Sequence, residues 1–371
     1  MQKPHKFVTL DGLRGVAALA VLQLHTQTLF GALLFPEGYL AVDFFFLLSG
    51  FVMAYAYQQK LDRGMSTMEF FKTRMVRLYP LYGLGLLIGG AFSVVQMHDG
   101  SSHPTVRGIV SVFLLGALWI PMPVIFSGYS SAIFPLNLPA WSLFYEICAN
   151  IAHALFFRRR SWMYCGAVIV ISGMALAVCG EFLNTMDFGV NHQGTLYAFF
   201  RVFFSYFLGN LLFRFWNRGW LRFKMPSLVS AGVLLAVLAV RPPGPLLVSY
   251  DLLVTILVFP ILLLASSSAQ PSRRWSKLFQ ALGTASYAIY VLHVPMERFF
   301  ERAWTHIAKH EANLDAPWPG ILFVSLVILV ALVVDSIYDL PVRAYLRERL
   351  LNPVETSKKN KLEEPKEKAS M

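Results

Sequence analysis

Long apolar stretches recur along the chain, each closed off by a short polar or basic segment. Those long enough to cross a bilayer lie near residues 9–31, 39–57, 78–97, 138–157, 162–180, 196–213, 226–240, 248–266, 279–300 and 319–337. A hydrocarbon core of about 30 Å takes roughly 20 apolar residues as a helix. Inside lipid each run must satisfy its own backbone hydrogen bonds, which favours helices. The pattern predicts an all-α polytopic membrane protein with ten transmembrane helices. An eleventh stretch, 108–120, is shorter and runs into Pro121, Pro123 and a Ser/Gly-rich segment. It is expected to be a re-entrant or interfacial outer segment, with Ser127, Gly128, Ser130 and Ser131 framing an acceptor entrance on an outer cap. Residues 1–350 then form one membrane-integral domain. Residues 351–371, lysine- and glutamate-rich, form a disordered charged cytoplasmic tail. No internal repeat is visible.

Composition agrees with this reading. Of 371 residues, 56% are hydrophobic and 14% charged, too few polar groups to cover a water-facing surface. The net charge of +11 would suggest nucleic acid in a soluble protein. Here its distribution matters more, and no nucleic-acid partner is expected. With 108–120 not crossing and the N-terminus cytoplasmic, 25 of the 32 Lys and Arg residues fall in cytoplasmic segments. They include Lys60, Arg63, Arg74, Arg77, Arg158–Arg160, Arg273, Arg274, Arg343 and Arg347. If 108–120 crossed, 18 of these would move outside, against the positive-inside rule. Both termini are therefore expected in the cytoplasm. The first apolar run, broken by Asp11 and Arg14, reads as a retained helix and not a cleaved signal. Cys148, Cys165 and Cys179 lie in apolar runs without metal-like spacing and read as packed thiols; no metal is expected.

Ionisable residues inside spans are costly and point to function. Arg14 and His25 are eleven residues apart, three turns plus about 20°, so they share a helix face about 16 Å apart axially. Asp11 can pair with Arg14 at i+3. The bland alternative has Arg14 snorkelling to headgroups and His25 bonding a neighbouring helix. Asp43 enters the aromatic run Phe44-Phe45-Phe46 ahead of Ser49-Gly50; it can orient a histidine or an acceptor hydroxyl, or simply cap a helix. In the cytoplasmic loop, Arg74 and Arg77 present two guanidiniums at i, i+3, a fork suited to phosphate, or the positive-inside signal alone. Trp141 fits an outer-interface belt. Glu146, deeper in the same span, needs a partner. Ser286, Tyr287 and His293 sit together in a later span, and a buried histidine alone means little.

Taken in order, these segments resemble the acyltransferase 3 family of integral-membrane O-acyltransferases. Arg14, ten residues and His25 match the family's first-span signature, within Leu10-Asp11-Gly12-Leu13-Arg14-Gly15. Phe45–Phe51 with Ser49 looks like its second-span motif, and Arg74, Arg77, Leu78 and Pro80 look like its arginine motif. Trp141-Ser142-Leu143 with Glu146, and Ser286-Tyr287 with Tyr290, Leu292 and His293, match later ones. Asp339-Leu340-Pro341-Val342-Arg343 looks like the closing motif, with Asp339 where Glu is common. The resemblance covers about residues 7–345. It implies transfer of an acyl group, usually acetyl, from cytoplasmic acyl-CoA to a hydroxyl of a glycan or similar acceptor, often outside a bacterial inner membrane. Ten spans are also what the family implies. The residues fit that chemistry: His25 as the base or the acylated group, helped by Asp43 and Glu146, with Arg14, Arg74 and Arg77 on the donor. A transporter or flippase is the competing reading. A haem or metal site on His25, His153 and His293 is disfavoured by their different depths.

Overall fold

The computed structural model describes residues 5–97, 105–124, 130–156, 162–220 and 223–351. The tail, Arg158–Arg160, Ser127 and Gly128 lie outside the described residues. Among the described residues the fold is all-helical, with one isolated bridge, Ala132 to Asn191. The helices are α1 (Val8–His25), the single turn α2 (Gln27–Phe30), α3 (Leu40–Asp62), α4 (Thr67–Met97), α5 (Val106–Ala117) and α6 (Ala140–Phe156). They continue as α7 (Trp162–Leu183), α8 (Thr195–Asn217), α9 (Ser227–Ala239), α10 (Leu247–Leu253), α11 (Phe259–Ser267), α12 (Arg273–Ala308), α13 (Trp318–Val334) and α14 (Leu340–Leu351). π-helical turns at Val254–Val258 and Asp335–Asp339 join α10 to α11 and α13 to α14.

Each of the ten apolar segments read from the sequence falls on a helix or on the joined α10–α11 unit. Six of these, α3, α4, α7, α8, α10–α11 and α13–α14, are long and apolar enough to cross a membrane. α1 and α12 are interrupted by polar residues, and α6 and α9 have 17 and 13 residues. α7 and α13 are apolar on all sides, and exposed Ile171, Met174, Val178, Leu322 and Leu329 form outward faces that suit lipid.

Glycines set the closest helix pairs, as expected where van der Waals packing drives association. α1 and α12 run parallel: Gly12 faces Phe279, Gly15 the Leu282 backbone, and Gly283 the Asp11 backbone. α3 and α8 also run parallel, with a Cβ at Gly50 or Gly209 blocked by the carbonyls of Tyr206 and Leu47. Both α4 and α12 carry an internal proline, Pro80 and Pro295. Pro295 has no N–H to donate, and the Val291 carbonyl this frees lies against Gly85.

Two expectations change. Arg74 and Arg77 lie within α4, which starts at Thr67 and so extends eleven residues ahead of its apolar run. The expected outer cap, 98–137, is described only at 105–124 and 130–137; there it lies along α4. α5 runs antiparallel down α4, with Phe113 against Gly90 and Gly116 against Leu86. The hydroxyls of Tyr82 and Tyr79 donate to the carbonyls of Gly116 and Ala117, at 2.6 and 2.9 Å. The chain then doubles back: Trp119 stacks on Tyr82 at 4.5 Å, Met122 N–H donates to Ile133, and the Leu136 backbone meets Gly89. Twelve residues of α5 rise about 18 Å, short of the hydrocarbon thickness.

Candidate active site

One face of α12 organises the polar interior. Gly283, Ser286, Tyr287, Tyr290 and His293 recur at helical spacing along a stripe about 15 Å long. At its inner end the Arg14 Nε donates to Ser286 Oγ at 2.9 Å, and Nη2 to the Gly283 carbonyl at 3.0 Å. Asp11 pairs with Arg14 at 3.2 Å. Arg14 therefore docks on α12 and does not simply reach for headgroups. The Arg77 guanidinium lies over the Tyr287 ring at 5.7 Å, and the Tyr287 hydroxyl donates to the Leu78 carbonyl at 2.6 Å. Asp339 faces Arg77 at 4.0 Å and is ion-paired with Arg343, which also meets Asp335 at 3.6 Å. The π-helical turn turns both carboxylates of that segment toward Arg343.

Glu146 joins this end from α6. Its Oε1 accepts from Arg74 Nη2 at 2.8 Å and from Ser49 Oγ at 2.6 Å. Arg14, Arg74 and Arg343 all lie within electrostatic reach of Arg77. Four guanidiniums thus gather where α1, α4, α12 and α14 meet. Three of their nitrogens, Arg74 Nε, Arg77 Nη1 and Arg343 Nε, are buried without a hydrogen-bond partner among the described residues. Both Asp339 oxygens are likewise without a hydrogen-bond partner among those residues and face Arg77 and Arg343. The four guanidiniums meet three carboxylates, Glu146, Asp335 and Asp339, besides Asp11 on Arg14. Buried donors are normally satisfied, and Arg74 Nε is the donor left over for an anion.

At the other end of the stripe the two histidines meet. His293 Nε2 lies 3.2 Å from His25 Nδ1. His25 Nδ1 is 2.9 Å from the Val21 carbonyl, and His293 Nδ1 is 3.0 Å from the Ile289 carbonyl. A carbonyl only accepts, so both rings are assigned the Nδ1–H tautomer. His25 Nδ1–H is then shared between Val21 and the lone pair of His293 Nε2. The His25 Nε2 has no hydrogen-bond partner among the described residues, and the residue is exposed while His293 is fully buried. Between the two ends, Tyr290 and Ser142 hydroxyls are 2.7 Å apart, and Phe45 meets Tyr290 edge-on.

Asp43 and Trp141 belong elsewhere. Both Asp43 oxygens accept from Arg201, at 2.7 to 3.0 Å, with each side chain fully buried. Arg201 also donates to the carbonyls of Phe188 and Tyr39. Trp141 covers its guanidinium at 5.6 Å and is itself buried. Asp43 thus orients neither histidine, and Trp141 is no interface-belt residue: a guanidinium inside the bundle takes both, one for charge and one for its π face. Sequence reasoning passed over Arg201, although its in-span charge carried the same signal that singled out Glu146. It also left Arg343 and Asp339 as motif residues without a place in the site. His153 is separate, bonded to Tyr206 and Gln58 at 3.0 Å, so the three histidines share no centre.

With this geometry in hand, comparison with known proteins is decisive. A family model described as an acyltransferase domain matches residues 7–336. The chain belongs to this acyltransferase family. Acyltransferase MdmB of Streptomyces mycarofaciens is 28% identical over 330 residues, covering 79% of this chain and 80% of its own. Exopolysaccharide production protein ExoZ of Rhizobium meliloti (strain 1021) is 27% identical, covering 70% of this chain and 76% of its own. "Protein 2 in picA locus" of Rhizobium radiobacter is 37% identical over 185 residues, which is 47% of this chain and 95% of its own. No solved structure matches the chain. Family membership and the apolar helices together make this an integral membrane acyltransferase.

Proposed function

We propose that this acyltransferase moves an acyl group, acetyl in the simplest case, from acyl-CoA at the cytoplasmic face to a hydroxyl of a glycan or similar acceptor reached from the outer side. The single observation that carries this reading is the α12 stripe. At one end of it stand guanidinium nitrogens that are buried without a partner among the described residues, and at the other stands a histidine whose Nε2 has no partner among them. The separation of about 15 Å suits an extended pantetheine arm with its phosphates at the arginines and its thioester at His25. The name of ExoZ supports a carbohydrate acceptor.

In this mechanism Arg14, Arg74, Arg77 and Arg343 bind the donor's phosphates, and Glu146 and Ser49 hold Arg74 in place. His25 Nε2 takes the proton of the acceptor hydroxyl as that oxygen attacks the thioester carbonyl. Collapse of the tetrahedral intermediate breaks the carbon–sulfur bond, and the CoA thiolate leaves with the proton. His293 holds the His25 ring with Nε2 outward and accepts from Nδ1–H as the imidazolium forms. The membrane arrangement belongs to the same proposal: ten spans, both termini cytoplasmic, and α5 re-entrant, in a bacterial inner membrane.

Purified protein incubated with radiolabelled acetyl-CoA and a glycan extract tests this. We expect labelled glycan, with His25→Ala lowering its formation by about 10²-fold or more. Activity of that variant within about threefold of wild type would remove His25 from the mechanism. A transporter would leave no acylated product.

A further inference from the structure

A second polar cleft opens on the cytoplasmic side of the arginine cluster. It has a volume of about 760 Å³ and is lined by Tyr57, Lys60, Arg63, Glu69, Thr73 and Arg347. Three helices build it: the end of α3, the start of α4, and α14. Gly64, at φ 116°, turns the chain sharply between α3 and α4, so their charged ends face the same space. Lys60 Nζ lies 5.0 Å from the Tyr57 ring, and Tyr57 packs edge-on against Phe70 at 5.1 Å.

The cleft and the site share two helices. Thr73 in the cleft wall and Arg77 are four residues apart on α4, and Arg347 in the wall and Arg343 are four apart on α14, so each wall leads one helical turn to a guanidinium of the cluster. Three cations line it against one carboxylate, an excess that favours a ligand carrying several negative charges. The Tyr57 ring, faced by Lys60 Nζ, can take a base once the lysine turns to a phosphate. The Glu69 carboxylate is an acceptor for a ribose hydroxyl or an exocyclic amine. The volume is in the range of small-molecule sites.

We propose that this cleft holds the adenosine 3′-phosphate end of the donor, with Lys60, Arg63 and Arg347 on its 3′-phosphate, the pyrophosphate at the arginine cluster, and Tyr57 against the adenine. This rests on the acyl-CoA reading above, and it assigns residues that lie outside the matched motifs. An anionic lipid headgroup offers related phosphate chemistry, but it brings no base for Tyr57, and its apolar acyl chains do not suit the polar α12 stripe.

The test uses the full chain in nanodiscs of phosphatidylcholine alone, which removes anionic lipid. Radiolabelled adenosine 3′,5′-bisphosphate should bind saturably, and Lys60→Ala/Arg63→Ala/Arg347→Ala should weaken it by about tenfold or more. All three side chains are exposed, so the variant should fold. The same variant should raise the KM for acetyl-CoA by a similar factor and that for acetyl-pantetheine by less than about twofold, since the truncated donor lacks the nucleotide. No saturable binding, equal binding by the variant, or equal KM changes for both donors would overturn the proposal. So would an effect seen only when phosphatidylglycerol is added, which would assign the cleft to lipid. Absence of transfer from either donor by the wild type would instead sink the acyl-CoA reading, and the bisphosphate result would still decide the cleft.

Discussion

Asp43 shows what a single residue in a membrane span discloses and what it hides. Its cost in an aromatic run singled it out, but its partner Arg201 is 158 residues away, and nothing local in the sequence joins the two. The pair follows from the parallel packing of α3 on α8. Removing one member leaves the other charge buried, at a cost of about 3–5 kcal/mol. Asp43→Asn should therefore lower thermal stability in detergent sharply, and the double variant Asp43→Leu/Arg201→Met should recover much of it. Equal destabilisation by the double variant would show that the pair contributes more than charge compensation. His293 makes the opposite case. A buried histidine has a bland explanation, yet its Nε2 meets the residue that the first-span spacing had already marked. As a positioning residue it should act on kcat and spare KM: His293→Phe should lower kcat by about tenfold or more with little change in either KM. His293→Asn, which keeps a polar partner for His25, should restore part of the loss. A uniform loss in both variants, tracking unfolding, would reduce His293 to packing.

At the scale of elements, the apolar runs marked where helices exist but not where they end. Hydropathy stops at the membrane surface; the hydrogen-bond ladder does not. α4 therefore reaches back to Thr67, where its first turns pack on α14, and α12 runs from Arg273 to Ala308, well past its apolar core at 279–300. The α4 extension carries Arg74 and Arg77, which is why that part of the site looked like a loop in sequence. Glycine was the better guide to packing. Gly50 follows Ser49, and its missing Cβ lets α3 touch the α8 backbone at Tyr206, which in turn sets Ser49 toward Glu146. Gly50→Val should cost about 1–3 kcal/mol or more by overpacking and should weaken donor use through Arg74. Gly232→Val in α9 is the matched control, because a Cβ there meets nothing within 4 Å. Comparable melting temperatures for the two variants would reject close α3–α8 contact.

At the scale of the whole molecule, charge carries information that hydropathy lacks. The 108–120 stretch is apolar enough to invite a crossing, yet a crossing would send 18 basic residues to the outer side. The described residues favour re-entry: α5 packs along α4 for twelve residues, the chain turns at Trp119, and the Leu136 backbone lies beside Gly89. What the sequence could not show is that this segment runs down beside α4, because that depends on Tyr79 and Tyr82 bonding the carbonyls at its end. The consequence is directional. If α5 re-enters, His25 is approached from the outer side and the arginines from the cytoplasm, as transfer across the membrane requires. If α5 and the other ten segments all cross, α12 becomes antiparallel to α1, against the parallel contact the two helices make. Single cysteines in a background lacking Cys148, Cys165 and Cys179 distinguish the two. Thr105→Cys and Ser131→Cys, on exposed residues flanking the re-entrant segment, should both react with an impermeant thiol reagent added outside intact cells. Ser66→Cys, between α3 and α4, should react only after the membrane is opened. Outside labelling at position 105 combined with inside labelling at 131 would mean that the segment crosses, and the ten-span arrangement would fall with it.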